Sequence, residues 1–336
     1  MNRTLAQTQL SKTAVLMFLL AAAVTVIIFA PFIGANTLSF KEVFDIQSGS
    51  VDAKIFWQMR LPRVFIAFLA GATFALCGMV FQSLFRNPLV DPSTLGVSAG
   101  ASFGATVYIW LGVSFTILGI SGISLFAFVG ALLSLYIVWS LSRIRHGSSI
   151  SKMLLAGIVV SFFFVSLIML VQYLSNINQS FRITRWLMGG LFVYGYEPLW
   201  NVLFFSLAGF AVIWYFTREL NLLTTGEELA ISRGVDVAIL INVLFLLISL
   251  IIGCMVAVCG PISFVGIIVP HICRLLTGSD HRFLTPATFL FGGIFLTVCD
   301  TFARTVVAPA EIPVGVITAI LGGPFFLWLL RDRLVD

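Results

Sequence analysis

The chain has 336 residues, of which 60% are hydrophobic and 10% charged, with a formal net charge of +5. A soluble domain carries about 25% charged residues, so this composition excludes a single water-soluble core, and so small a charge excess does not point to nucleic acid. The five cysteines (Cys77, Cys254, Cys259, Cys273 and Cys299) lie in or beside apolar segments with no CxxC pair, which fits small packing residues better than disulfides or a metal site.

In chain order, hydropathy predicts about ten spans, roughly 13–33, 62–84, 92–111, 117–142, 152–175, 197–217, 238–259, 262–275, 284–304 and 312–331. A helix needs roughly 20 apolar residues to cross a bilayer, and backbone amides in lipid must be satisfied within the segment. The expectation is an all-α polytopic membrane protein forming one transmembrane domain over residues 1–336. The first run follows Arg3 and Lys12 and superficially resembles a signal peptide. It is too long for such a segment and lacks a small-x-small cleavage site, so it reads as a retained span. With the N-terminus inside, twelve Lys and Arg fall on the cytoplasmic side and seven outside, and an even span count returns the C-terminus to the cytoplasm.

Between residues 60 and 104, Pro62 suits the first turn of the second span. Arg60 and Arg63 stand at its outer entrance, where anchoring by snorkelling is the plain alternative to a functional role. Asn87-Pro88 and Asp91-Pro92 break the chain. Gly96, Gly100 and Gly104, four residues apart, share one face of the third span and predict close helix packing.

The fifth span carries the polar residues Ser161, Ser166 and Gln172. After the sixth comes LLTTGEELAISRGVDV (222–237). Thr225 and Glu228 have the T-x-x-E spacing of a capping box. Glu227 and Glu228 suit a helix start, and Arg233 with Gly234 suits its end. A helix of about two turns outside the membrane is therefore expected within a loop of about 218–237. Two spans need only a few residues to connect, so a segment of this length is either a tidy loop or a surface for a partner.

Further on, Gly260-Pro261 and Pro270 predict a short, bent span. The nearby His271 is expected to be satisfied by backbone, with no second ligand beside it. Asp300 and Arg304, at i,i+4, can pair on one helix face. Glu311 lies in a turn on the same outer side, and Gly322-Gly323-Pro324 loosens the last span. The sequence contains no GxxxxGK[ST], HExxH or GxSxG and no paired His/Cys cluster, so neither enzymatic activity nor a bound cofactor or metal is expected. An acid inside a span is a functional candidate, which keeps open a secondary transporter using Asp300 as a proton or sodium site.

Taken as a set, RLPR, G-x(10)-Q-x(3)-RNPL-x-DP-x(2)-LGVS-x-GA, GEELAISRGV, GPISFVGIIVPHICR and DTFAR…EIPVGVITAILGGPFF resemble the permease subunit of type II ABC importers. Those importers take up ferric siderophores, haem and cobalamin across the bacterial inner membrane. The resemblance covers nearly the whole chain and implies the ten-helix fold of that family. It further implies a second permease (as a homodimer or heterodimer), two ATP-binding subunits that use ATP and Mg, and a periplasmic substrate-binding protein. Through it, Thr225, Gly226, Glu227, Glu228, Arg233 and Gly234 match the coupling helix seated on the ATPase. Arg60, Arg63 and Arg304 match positions that receive acidic residues of the binding protein. The fifth and tenth spans, including Ser161, Ser166 and Gln172, match helices that line the path. A ferric siderophore is the expected cargo, with haem or cobalamin as alternatives.

Overall fold

The computed structural model describes residues 2–45, 50–91, 95–117, 119–142, 150–191 and 194–333. Pro92, Arg143 and Arg145 lie outside the described residues. The chain is helical almost throughout. It runs through α1 (Asn2–Phe29), α2 (Phe40–Phe44), α3 (Val51–Lys54), α4 (Leu61–Leu84) and α5 (Val97–Leu111) to a two-residue hairpin of β1 (Thr116–Ile117) and β2 (Ile120–Ser121). There follow α6 (Gly122–Ser142), α7 (Ile150–Leu174), α8 (Ile177–Leu187), α9 (Glu197–Tyr215), α10 (Thr217–Thr225) and α11 (Glu227–Ser232). The chain closes with α12 (Val237–Cys259), α13 (Val265–Thr277), α14 (His281–Thr305) and α15 (Val314–Arg333).

Among the described residues, seven helical segments are long and apolar enough to cross a membrane, and three shorter apolar helices, α5, α13 and most of α15, bring the set to ten. These are the ten predicted spans. Their lengths differ from expectation where the backbone is broken. With 13 residues, α13 spans only about 20 Å. The non-helical stretch before it is tolerated because protein surrounds it: a Cβ on Gly189 would strike the Pro261 carbonyl, and one on Gly260 would crowd the Trp186 carbonyl.

The centre of the bundle is α4, buried along nearly its whole length and flanked by α9, α12, α13 and α14. Lipid is as apolar as a leucine side chain, so it gives helices little reason to associate; close packing does. Glycines supply that closeness. A Cβ on Gly71 would strike the Gly292 backbone of α14, and one on Gly78 would strike the Gly266 backbone of α13. Gly100 and Gly104 face the backbone of α6 at Gly130 and Phe126 in the same way.

One local expectation is refined here and another corrected. Pro62 does stand in the first turn of α4, but the backbone before it is already helical from Val51 and passes through a π-turn at Ile55–Arg60. There the Leu61 N–H donates to the Phe56 carbonyl, and the wider turn absorbs a proline that has no N–H of its own. Gly96 is not on the helical stripe but is the N-cap of α5, with φ +85°. Its carbonyl accepts a 2.7 Å hydrogen bond from Ser134 Oγ of α6.

Candidate functional site

Two polar clusters stand at opposite ends of α4. At the first, Arg63 holds Asp300 of α14 through Nη2 at 2.9 Å and through Nε at 3.1 Å to both carboxylate oxygens. Arg63 Nη1 reaches Glu311 at 2.7 Å. Arg304 Nε lies 3.2 Å from Asp300 Oδ2; its angle does not make a hydrogen bond, so this contact is ionic. Arg304 Nη2 donates to Thr301 Oγ1 at 3.2 Å. Arg60 donates to the Pro31 and Phe32 carbonyls at 3.3 Å and to the Asn36 carbonyl at 2.7 Å.

The predicted i,i+4 pair is therefore present, and Arg63 completes it from 237 residues away. The three arginines expected to receive a partner's acids sit together here, but not at the surface. Arg60 is 8% and Arg304 4% exposed, because each guanidinium is drawn inward by carbonyls or by the buried Asp300. Three arginines face two carboxylates around a cavity of about 200 Å³ lined by Asn36, Met59, Arg60, Arg63, Arg304 and Glu311. Among these five groups one positive charge is in excess, with Asp52 near enough to Arg60 to offset part of it.

At the other end, α11 is a six-residue helix whose N-cap is Gly226, at φ 138° and ψ 146°. The expected capping box is absent. Thr225 is the last residue of α10, and its hydroxyl donates to the Leu222 carbonyl at 2.7 Å. A threonine in helical geometry bonds back to its own helix, whereas a cap needs extended backbone. Glu227 and Glu228 do occupy the first turn of α11, where the helix dipole favours acids.

The other end of α11 closes as predicted: Gly234 (φ +84°) donates to Ile231 at 2.9 Å, and Val235 donates to Ala230 at 3.1 Å, the paired bonds of a Schellman stop. Leu229 and Ile231 are 51% and 58% exposed while Ala230 is fully buried. The loop thus presents a rigid apolar tip. Glu227 Oε2 accepts from Arg86 Nη2 at 2.7 Å. Arg86 sits just past α4 at φ +45°, a left-handed conformation that costs a non-glycine residue about 1–2 kcal/mol.

Ser161 and Ser166 bond back to the Gly157 and Phe162 carbonyls of α7 at 2.8 and 2.9 Å. Gln172 Nε2 donates to Thr184 Oγ1 of α8 at 3.3 Å. Ser166 lies on a face of α7 that exposes Phe162 and Met169. Sequence reasoning missed α8, an amphipathic helix whose Asn176/Gln179 capping box was legible. It borders a cavity of about 510 Å³ lined by Phe181, Thr184, Arg185, Met188, Glu311 and Pro313 among others. The ring of His271 packs edge-on to Phe325 of α15 at 5.7 Å, and no metal-binding group of three His, Cys, Asp or Glu assembles among the described residues.

Comparison with known proteins gives this geometry a context. The hemin transport system permease of Yersinia pestis is 38% identical over 318 residues, covering 94% of this chain and 95% of that protein. The cobalamin import system permease of Halobacterium salinarum is 39% identical over 278 residues, 82% of this chain and 73% of its own length. A solved inward-facing structure of a metal-chelate type ABC transporter superposes with a TM-score of 0.81 at 32% identity, covering 95% of this chain and 99% of that one. Residues 19–332 match the model of the FecCD transport family. The chain belongs to that family and is an ABC importer permease with the type II fold.

Proposed function

We propose that this chain is the membrane half of an ATP-driven importer for an iron chelate, a ferric siderophore or haem. It works beside a second permease, on two ATP-binding subunits, with both termini in the cytoplasm of a bacterium and α11 at the inner face. The observation that carries the reading is α11 itself: a short helix closed by a Schellman stop that offers Leu229 and Ile231 to the outside. An exposed apolar tip of this kind fits insertion into a partner's cleft. In this orientation the Arg63 cluster faces outward, and its surplus positive charge suits the carboxylates of a periplasmic binding protein. Haem and iron chelatin in the names of two relatives, 38% and 34% identical, support iron as the cargo. A cation-driven carrier is disfavoured because both oxygens of Asp300 are already held by arginine.

The test is uptake in cells lacking this gene, with radiolabelled haemin, ferric siderophore, cobalamin and molybdate supplied separately. Wild-type chain restores an iron chelate, whereas a chain with Leu229→Asp and Ile231→Asp is made and inserted but restores nothing. Rescue of cobalamin or molybdate alone overturns the cargo assignment. Uptake that survives inactivation of the partner ATPase overturns the mechanism.

A further inference from the structure

Four residues from three helices meet in a joint just behind α11, its inner pair (His281 and Ser83) buried and its outer pair (Asn221 and Asp280) half-buried. Asn221 lies on α10, one turn before the extended Gly226 that leads into α11. Its Nδ2 donates to Asp280 Oδ1 at 2.8 Å, and its Oδ1 accepts from the His281 backbone N–H at 2.9 Å and from His281 Nδ1 at 2.7 Å. Asp280 is also the N-cap of α14, accepting from the Arg282 N–H at 3.0 Å. With its nitrogen toward a carboxylate and its oxygen toward backbone N–H, the amide has one orientation, so His281 Nδ1 carries a proton. On the far side of the ring, His281 Nε2 lies 2.8 Å from Ser83 Oγ in the last turns of α4. His281 is 1% and Ser83 3% exposed. Leu220 and Leu223 of α10 are fully buried beside them.

A loop that merely joins two spans has no need of this. Hydrogen bonds in a network anchored on the buried His281 and Ser83 hold a geometry that apolar contact alone lets slide. Here they tie the helix leading into α11 to the starting end of α14 and the finishing end of α4. Those two helices run together, with Gly71 against Gly292, to the Arg63–Asp300–Arg304 cluster at the opposite face. A displacement imposed on α11 therefore reaches two rods that end in the outer charge cluster.

We infer that Asn221, Asp280, His281 and Ser83 form the joint through which movement of α11 is passed to α4 and α14, and that these are positioning residues for transport. The inference rests on the reading of α11 as the coupling helix. Breaking the joint leaves α11 able to follow its partner while α14 stays behind. Coupling of this kind is worth about 1–3 kcal/mol between sites, a five- to 150-fold effect.

The experiment uses the complex of this chain with its ATP-binding subunits in lipid nanodiscs, and Mg-ATP with vanadate as the probe. Spin labels go to Ser232→Cys, the exposed last residue of α11 and not part of its apolar tip, and to Val306→Cys, exposed just past α14; all five native cysteines are buried. With the native joint, nucleotide leaves one narrow distance distribution. In Asn221→Asp, which sets a second carboxylate against Asp280, nucleotide produces a second, shifted population. Adding Asp280→Asn restores the donor and acceptor complement in reversed order and returns the single population. If Asn221→Asp does not assemble, Ser83→Ala, which removes one hydroxyl, carries the same expectation. A second population with the native joint, a nucleotide-independent single peak in the broken one, or no rescue by the exchange overturns the joint alone. A native chain that forms no complex with any ATP-binding subunit overturns the importer reading as well.

Discussion

Replacing Asp300 with asparagine tests the charge cluster directly. Asp300 is fully buried and Arg304 is 4% exposed. The substitution keeps the shape and removes one of the two negative charges that offset three arginines. Arg63 retains Glu311 at 2.7 Å, so it stays paired. Arg304 retains only its 3.2 Å hydrogen bond to Thr301 Oγ1, so the uncompensated charge is its own. Breaking a buried ion pair by removing one partner costs about 3–5 kcal/mol, whereas removing both is often close to neutral. The expected loss for Asp300→Asn is therefore about 3–5 kcal/mol, with most of it recovered in Asp300→Asn/Arg304→Gln. Equilibrium unfolding in mixed micelles measures both. A loss under about 1 kcal/mol for the single variant, the range of an exposed pair, refutes the argument, as does a double variant no better than the single.

Neutralising Glu311, whose side chain is 39% exposed, raises the surplus positive charge of the outer cluster. Glu311→Gln is expected to tighten the binding protein by about two- to fivefold in a detergent pull-down, and unchanged affinity removes the docking role. Gly104→Ala drives a methyl into the Phe126 carbonyl and is expected to cost about 1–3 kcal/mol; Gly323→Ala, with open space at its Cβ, is the neutral control in the same thermal assay. Burial disfavours the charged form of Asp280, but the Arg282 N–H, the Asn221 amide and the charges of Arg282 and Lys12 outweigh it and hold the carboxyl below its usual range. A depressed folded pKa stabilises above the unfolded value of about 4 and is lost as pH falls through the folded one. Asp280→Asn should accordingly flatten the decline in stability as pH falls below about 4, measured as unfolding midpoint against pH.

Hydropathy made the ten spans legible because a bilayer crossing is written as length and composition along one segment. The Schellman stop at Gly234 and the pairing of Asp300 with Arg304 were legible for the same reason: each is decided within one helical turn or two. The misread cap at Thr225 shows the limit of local pattern. Its T-x-x-E spacing is correct, but α10 runs on with Leu220 and Leu223 buried, and tertiary packing keeps Thr225 helical. Arg63 and Asp300 are 237 residues apart, and Asn221 and His281 are 60 apart. No periodicity records such meetings. His281 drew no attention in the sequence because its partners belong to α4 and α10, while the more conspicuous His271 packs against the Phe325 ring.

The central claim is that this permease moves cargo only when a separate motor drives α11. Proteoliposomes holding the permease with its ATP-binding subunits, supplied with loaded binding protein, measure this most directly through labelled iron chelate trapped per ATP hydrolysed. The account predicts accumulation with Mg-ATP, none with a non-hydrolysable analogue, and none when the ATP-binding subunits are left out. Accumulation by the permease alone, driven by a proton or sodium gradient, contradicts it.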